Sequence, residues 1–383
     1  MSRTSARTVL FVDASPFMGG AARSLLDLLA AMPGTAVRPV LAAAVNELCA
    51  AARSAGVATV RLAFPPPSRS LLPWRALPSL AGVLAARREL SNLAERHHAH
   101  LIHSNSTWAH LIAGDVLGLP SIWHCRDLTR LAMASSRLAD TATAVIATSQ
   151  GVAGHLTAQG IPAELVRVIH NGVVVGGLPA EADRPAVRAE LRARWGVPAQ
   201  APLLAWAGEF SPWKRTEDFL AALVVLRRTR PDVRGVVLGT ARAEGTEGRQ
   251  AELESLASRL GIGAEVAFPG WVQDVPRCLT AADLLVLTSE NEPFGRILVE
   301  AMAAGLPVVA RNGGGVAEVV GKEAGVIIEA PSPRDFAAAA ERLLSDPNGA
   351  AAMGRAGVRR ARDMFSPRLA AERVGQLYEE IAP

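Results

Sequence analysis

The sequence predicts an α/β protein built from two parallel-sheet domains, on three observations. Short apolar runs alternate with longer amphipathic stretches almost from end to end. The runs are continuous, with no polar residue at alternate positions, as strands buried on both faces require. A Gly-, Pro- and acid-rich stretch breaks the series near the middle, and 383 residues exceed what one hydrophobic core usually serves.

In chain order, the strand candidates before the break include Val9–Val12, Val40–Ala44, Leu101–His103 and Ala144–Ala147. After it they include Leu203–Ala207, Val233–Leu238, Leu284–Thr288 and Pro307–Ala310. Helical segments between them include Ala21–Ala31, Thr216–Arg228 and Gln250–Leu260. The proline-rich stretch Phe64–Pro78, FPPPSRSLLPWRALP, reads as a long exposed loop, either a surface excursion or a contact for an acceptor or a membrane surface. His170-Asn171-Gly172 ends the first series, Gly176–Pro185 suits a linker, and a new series starts at Leu203. The expected domains are therefore two Rossmann-like units, 1–176 and 180–365, facing a cleft. Ligands of such sheets bind beyond the carboxyl ends of the strands, so the cleft would collect loops from both halves.

Composition excludes several classes. Net charge is +4 and no basic run is interleaved with aromatics, which gives no nucleic-acid footprint. The three scattered cysteines, with no CxxC, fit reduced thiols and rule out a zinc ribbon. The apolar run after the N-terminal basic residues ends at Asp13, too short for a signal peptide, and no run approaches a membrane span. A cytoplasmic protein is expected, at most peripheral to the inner face of a membrane. The Ala/Arg/Leu/Val/Pro bias points to a GC-rich bacterial genome.

Ser289–Ala310, SENEPFGRILVEAMAAGLPVVA, carries the most chemistry. Glu292 precedes Pro293, which biases it to extended backbone, and Pro293 is expected to open a helix. That helix runs through Glu300 to Ala304 and stops at Gly305-Leu306-Pro307. Gly295 leaves room for a ligand, and the N–H groups of the first turn suit a diphosphate. Two carboxylates around such a turn can hold the hydroxyls of a sugar and of a ribose. His97, His98, His100 and His103 match no closed metal set and fit a solvated helix end leading into a strand. Broken GxGxxG runs, Gly321-Lys322 without a P-loop frame and the lack of GxSxG remove dinucleotide, P-loop and hydrolase readings.

EPFGRILVEAMAAGLPVVA resembles the E-x7-E signature of family 4 retaining glycosyltransferases, which have the GT-B fold, and the resemblance covers almost the whole chain. Met18-Gly19-Gly20 is similar to the family's glycine-rich first loop, Asn171-Gly172-Val173 to its inter-domain NGV and Ser211-Pro212-Trp213-Lys214 to its phosphate-binding lysine loop. FPGWVQDV with Ala282-Asp283, and Gly313-Gly314-Gly315-Val316-Ala317-Glu318, match the runs before and after the signature. Phe365 to Tyr378 resembles the last helix, about 366–383, which crosses back to the first domain.

The resemblance implies roles. Glu300 would bond the ribose and Glu292 a donor-sugar hydroxyl, with Phe294, Gly295 and Arg296 near sugar and phosphates. Gly19 and Gly20 join the donor-binding set, as do Trp271 and Val272, where the base docks or the Trp simply packs. Lys214 would neutralise the departing diphosphate, as fixed cations do for developing charge. The chain has no Asp-x-Asp, so protein cations rather than a metal ion are expected there, and no cofactor. His124 resembles the histidine near the reaction centre and is expected just after a first-domain strand. Asn105, Arg126 and Asp127 are acceptor-site candidates, Asp127 by orienting its neighbours. Glu209 stands where the family has arginine. It is expected to turn to the acceptor or to pair with Arg215 or Lys214, with Arg215 as the second cation.

The function expected is transfer of a hexose-type sugar, with retention, from a nucleoside diphosphate sugar, UDP favoured, to an acceptor hydroxyl of a natural product, lipid-linked intermediate or glycan. The alternatives are another enzyme on the same fold, a sugar-nucleotide epimerase or phosphorylase, and a non-catalytic sugar-nucleotide-binding subunit.

Overall fold

The computed structural model describes residues 6–32, 36–65, 73–131, 134–241, 246–329 and 331–382. The chain divides into two compact units, residues 1–172 with 366–383, and residues 173–365.

The first unit is a seven-stranded parallel sheet of β1 (Arg7–Asp13), β2 (Val37–Ala43), β3 (Ala58–Arg61), β4 (Leu101–Ser104), β5 (Ser121–Cys125), β6 (Ala144–Ala147) and β7 (Val166–Val168), in the order β3-β2-β1-β4-β5-β6-β7. Successive side chains point to opposite faces, so each strand feeds two cores. Val9, Phe11, Leu101 and Ile122 pack with Leu25, Leu28 and Leu29 of helix Gly20–Ala30. The final helix, Pro367–Ile381, adds Ala371, Val374, Leu377 and Tyr378 to that same core. On the other face Leu10, Val12 and Ile102 meet Leu90 and Leu93 of helix Pro73–Arg96 and Ala109 and Ile112 of helix Thr107–Ala113.

The second unit is a six-stranded parallel sheet of β8 (Leu203–Glu209), β9 (Arg234–Thr240), β10 (Val266–Gly270), β11 (Leu284–Leu287), β12 (Val308–Arg311) and β13 (Gly325–Ile328), in the order β10-β9-β8-β11-β12-β13. Leu203, Ala205, Leu285, Leu287 and Val308 pack with Leu298, Val299 and Met302 of helix Arg296–Ala304. Leu204, Trp206, Val237 and Val286 pack with Phe219, Leu220 and Leu223 of helix Thr216–Leu226 and with Phe336 and Ala340 of helix Pro333–Ser345.

Four expectations change. Residues 66–72 of the proline-rich stretch lie outside the described residues, and from Pro73 the backbone is helix, not loop. Residues 173–176 belong with the second unit, because Val173 is buried in its core and Val175 packs on it. The second series begins with helix Arg184–Arg194 rather than at Leu203. That helix is anchored by the buried Arg192, which donates to Asp283 and to the carbonyls of Ala281 and Ala201. His124 lies within β5, not after it. Among the described residues no helix is long and apolar enough to cross a membrane.

Candidate active site

In the second sheet the chain runs outward from β8 through β9 to β10, then returns to β11 on the other side of β8. The loops leaving β8 and β11 therefore flank the crevice where such sheets take ligands. Hydrogen bonds tie these loops together. Trp206 Nε1 donates to Thr288 Oγ1 at 3.0 Å, Thr288 Oγ1 donates to the Lys214 carbonyl at 2.9 Å, and the Glu290 N–H donates to the Trp213 carbonyl at 2.8 Å. Held in this way, Lys214 Nζ lies 2.5 Å from Glu292 Oε2, and both side chains are largely buried, 13% and 10% exposed. The ammonium also sits 4.1 Å from the centroid of the exposed Trp213 ring.

Left-handed backbone shapes the acidic loop. Asn291 has φ 48° and Gly295, the N-cap of helix Arg296–Ala304, has φ 84°. The helix thus opens at Arg296 and not at Pro293, since a left-handed residue cannot lie inside a right-handed helix. It closes at Gly305 as expected, in a left-handed cap. The triple-glycine run packs against this loop. The Gly315 N–H donates to the Glu292 carbonyl at 2.8 Å, and a Cβ on Gly314 would stand 2.1 Å from that oxygen. Glu300, one turn along the helix, lies 3.7 Å from Arg296. Among the described residues of this unit, Glu292 and Glu300 are the two buried carboxylates. Buried acids are costly unless paired, which makes their grouping at the switch point informative.

The other expected donor residues are distributed as follows. The Phe294 side chain is core, edge-on to Phe365 at 5.5 Å, so only its backbone is available to a ligand. Trp271 is exposed and Val272 half-buried, directly after β10. Arg215, left-handed at φ 53°, pairs with Asp218 at 3.0 Å and Glu290 at 3.7 Å. Lys214 thus pairs with Glu292, and Arg215 with Asp218 and Glu290. Sequence reasoning missed Thr288, Asp218, Glu290 and Arg311, which joins the Asp218–Glu290 cluster at 3.9 and 3.8 Å. Asp218 is a local i,i+3 partner of Arg215, but the contacts of Thr288, Glu290 and Arg311 with the loop after β8 follow from strand order, which no local pattern marks.

The first sheet has its own switch point, between β1 and β4. Helix Gly20–Ala30 starts there with Gly19 as its extended N-cap. Asp13 ends β1, Asn105 follows β4, and His124 and Arg126 lie at the end of β5. Asn105 Nδ2 donates to Asp13 Oδ2 at 2.6 Å, and Arg126 Nε donates to Asn105 Oδ1 at 2.6 Å. Arg126 Nη1 donates to Asn171 Oδ1, and Nη2 lies 3.3 Å from His124 Nδ1. Asn105 and Arg126 are thus bound into an internal network. Asp127 accepts from the Thr129 N–H, a local turn contact.

The histidine cluster divides. His100 Nδ1 accepts from the Thr8 N–H at 3.2 Å, while His103 is fully buried against His124 and Tyr378. Among the described residues no three His, Cys, Asp or Glu side chains are grouped as a metal ion would need. Burial and the Arg126 charge push His103 and His124 well below the usual histidine value, so both rings are neutral.

Two parallel sheets of this topology, each with polar groups at its switch point, fit the GT-B fold, and the comparisons supply the class. Residues 18–175 match the family described as Glycosyltransferase Family 4, and residues 187–360 the one described as Glycosyl transferases group 1. A D-inositol 3-phosphate glycosyltransferase of Saccharomonospora viridis is 32% identical over 339 residues, 83% of this chain and 77% of its own. One from Thermobispora bispora is 29% identical over 392 residues, 97% of this chain and 86% of its own. Anabaena Alr3699/HepE, solved in complex with UDP-glucose, shares the fold with a TM-score of 0.83 at 24% identity, over 97% of this chain and 99% of its own. Sucrose-phosphate synthase from Thermosynechococcus elongatus shares it with a TM-score of 0.77 at 20% identity, over 98% and 99%. The chain belongs to glycosyltransferase family 4 and is an enzyme of that class.

Proposed function

We propose that this glycosyltransferase moves a hexose-type sugar, with retention of anomeric configuration and without a metal ion, from a UDP-sugar to an acceptor hydroxyl. The observation that carries the reading is the buried Glu292 and Glu300 grouped with Lys214 around one helix N-terminus in the second unit. Glu300 takes the ribose hydroxyls and Glu292 a hydroxyl of the transferred sugar. Lys214, already neutralised in part by Glu292, shares its charge with the departing diphosphate, and the N–H groups at Arg296 add to it. The Anabaena structure of the same fold is in complex with UDP-glucose, and the Saccharomonospora and Thermobispora relatives are named D-inositol 3-phosphate glycosyltransferases. Both chemistries head the panel to be tested.

The experiment is titration calorimetry with UDP and GDP, followed by turnover over a panel of sugar nucleotides and acceptors led by UDP-glucose and D-inositol 3-phosphate. The product anomer is read by NMR. UDP binding that weakens about tenfold or more in Glu300→Ala supports the ribose role, on the scale of a lost charge-assisted hydrogen-bond pair. Unchanged affinity would remove it. Tight UDP binding with no turnover of any donor would instead make the chain a binding subunit, and an inverted product would exclude retention.

A further inference from the structure

The first unit contains a chain of buried hydrogen bonds that the transfer reading does not use. The chain's single tyrosine, Tyr378, lies on the final helix, Pro367–Ile381, and is fully buried. Its hydroxyl is 2.6 Å from His103 Nδ1. His103 Nε2 is 3.0 Å from His124 Nδ1. The two histidines sit near the ends of adjacent strands, β4 and β5, with ring centroids 5.2 Å apart. His124 Nε2 is buried with no hydrogen-bond partner among the described residues.

The direction of each bond follows from elementary chemistry. Arginine only donates, and Arg126 Nη2 faces His124 Nδ1 at 3.3 Å. His124 Nδ1 is therefore an acceptor, and the ring proton is on Nε2. The nitrogen that also faces Nδ1, His103 Nε2, must then carry a hydrogen and donate. A neutral His103 with its proton on Nε2 has an accepting Nδ1, which takes the Tyr378 O–H. Burial raises the tyrosine well above its ordinary value, so that hydroxyl keeps its proton. Burial and Arg126 keep both imidazoles neutral, so each has one donor and one acceptor nitrogen.

We propose that Tyr378 and His103 are positioning residues that act together with Arg126 to hold His124 in its Nε2–H tautomer, making it a hydrogen-bond donor to a substrate hydroxyl rather than a base. The buried, unpartnered Nε2–H is the group left over for that substrate, since a buried donor without a partner costs about 1–3 kcal/mol. The inference rests on the proposed sugar transfer only for the identity of the substrate, because the tautomer is a property of the protein alone. It makes the last helix part of the site's chemistry, through a side chain 275 positions from His103.

The test is long-range imidazole 15N–1H NMR on the full chain, with His124→Gln and His103→Gln used for assignment. The wild-type protein is expected to show both rings neutral with the proton on Nε2 at pH 7. In Tyr378→Phe, His103 loses the donor to its Nδ1, so part of the His124 population shifts to Nδ1–H. kcat then falls about tenfold, a fraction of the roughly 10²–10³ seen when one preorganised donor is removed outright. UDP affinity stays within about twofold, since Tyr378 lies in the other unit from Glu300. A wild-type His124 protonated on Nδ1 would overturn the proposal, and so would unchanged tautomers and kcat in a folded Tyr378→Phe. Should that variant not fold, the wild-type spectrum still decides. If no donor turns over while the wild-type tautomers are as expected, the transfer reading fails and the relay stands.

Discussion

The Lys214–Glu292 pair offers the sharpest test of the second-unit geometry. At 2.5 Å, with an effective dielectric constant of about 20, two unit charges attract by about 7 kcal/mol, most of which is returned as desolvation. Removing one partner of a buried pair costs about 3–5 kcal/mol because the other charge is left uncompensated. Side chains 13% and 10% exposed place Lys214→Met and Glu292→Gln near the lower end, at about 3 kcal/mol each. For a unit of this size that lowers the midpoint of thermal unfolding by about 6–12 °C. The double variant, which removes both charges, should lie within about 1 kcal/mol of wild type, a coupling of several kcal/mol. Calorimetric unfolding follows the transition of the second unit, and the fluorescence of Trp213, whose ring lies against Lys214, reports on the pair itself. If the two single effects simply add in the double variant, the ion pair does not exist as described, and the loop contacts through Thr288 do not set its geometry.

Three further outcomes are expected. Gly314→Ala places a Cβ 2.1 Å from the Glu292 carbonyl at a left-handed φ of 60°, so it should cost at least about 2 kcal/mol and weaken UDP binding; a melting point within 1 °C of wild type would refute the close approach. His110 is buried and held at about 4, below its ordinary 6.5. The unfolded chain therefore binds a proton that the native one does not as pH falls from 6.5 toward 4, and this residue's share of stability drops by about 1.4 kcal/mol per pH unit across that window. Denaturant titrations at pH 6 and 5 should show that slope reduced by the same amount in His110→Gln. Arg192→Met strips hydrogen bonds from the carbonyls of Ala281 and Ala201 and from Asp283, and should destabilise the second unit by about 3 kcal/mol or more, read by urea unfolding.

The elements that were legible in advance are those whose signal is local. Ala144–Ala147 and Leu203–Ala207 are apolar on every residue, so both faces of the strand had to be buried, and they are. The stop at Gly305 was readable because only glycine takes a left-handed cap without strain. The edge strands β3 and β7 were missed because they are short and half-exposed, with Arg61 and Arg167 in them. Helix Pro73–Arg96 was hidden by its own prolines, Pro73 and Pro78, which read as loop although helical packing below them prevails. Helix Arg184–Arg194 went unread because its apolar face is thin: Val187, Leu191 and the following Trp195 meet the core among four arginines, and the buried Arg192 supplies the rest of the anchorage.

By itself the sequence determined the class of fold and the acidic segment from Glu292 to Glu300, because strand burial, turn glycines and helix caps act over a few residues. Only the tertiary structure decided partnership. Lys214 meets Glu292 across 78 positions because β8 and β11 are neighbours in the sheet, and His103 meets Tyr378 across 275 because the last helix packs on the first sheet. Such pairings depend on which strand lies beside which, an outcome of the whole core's packing that no window of sequence contains.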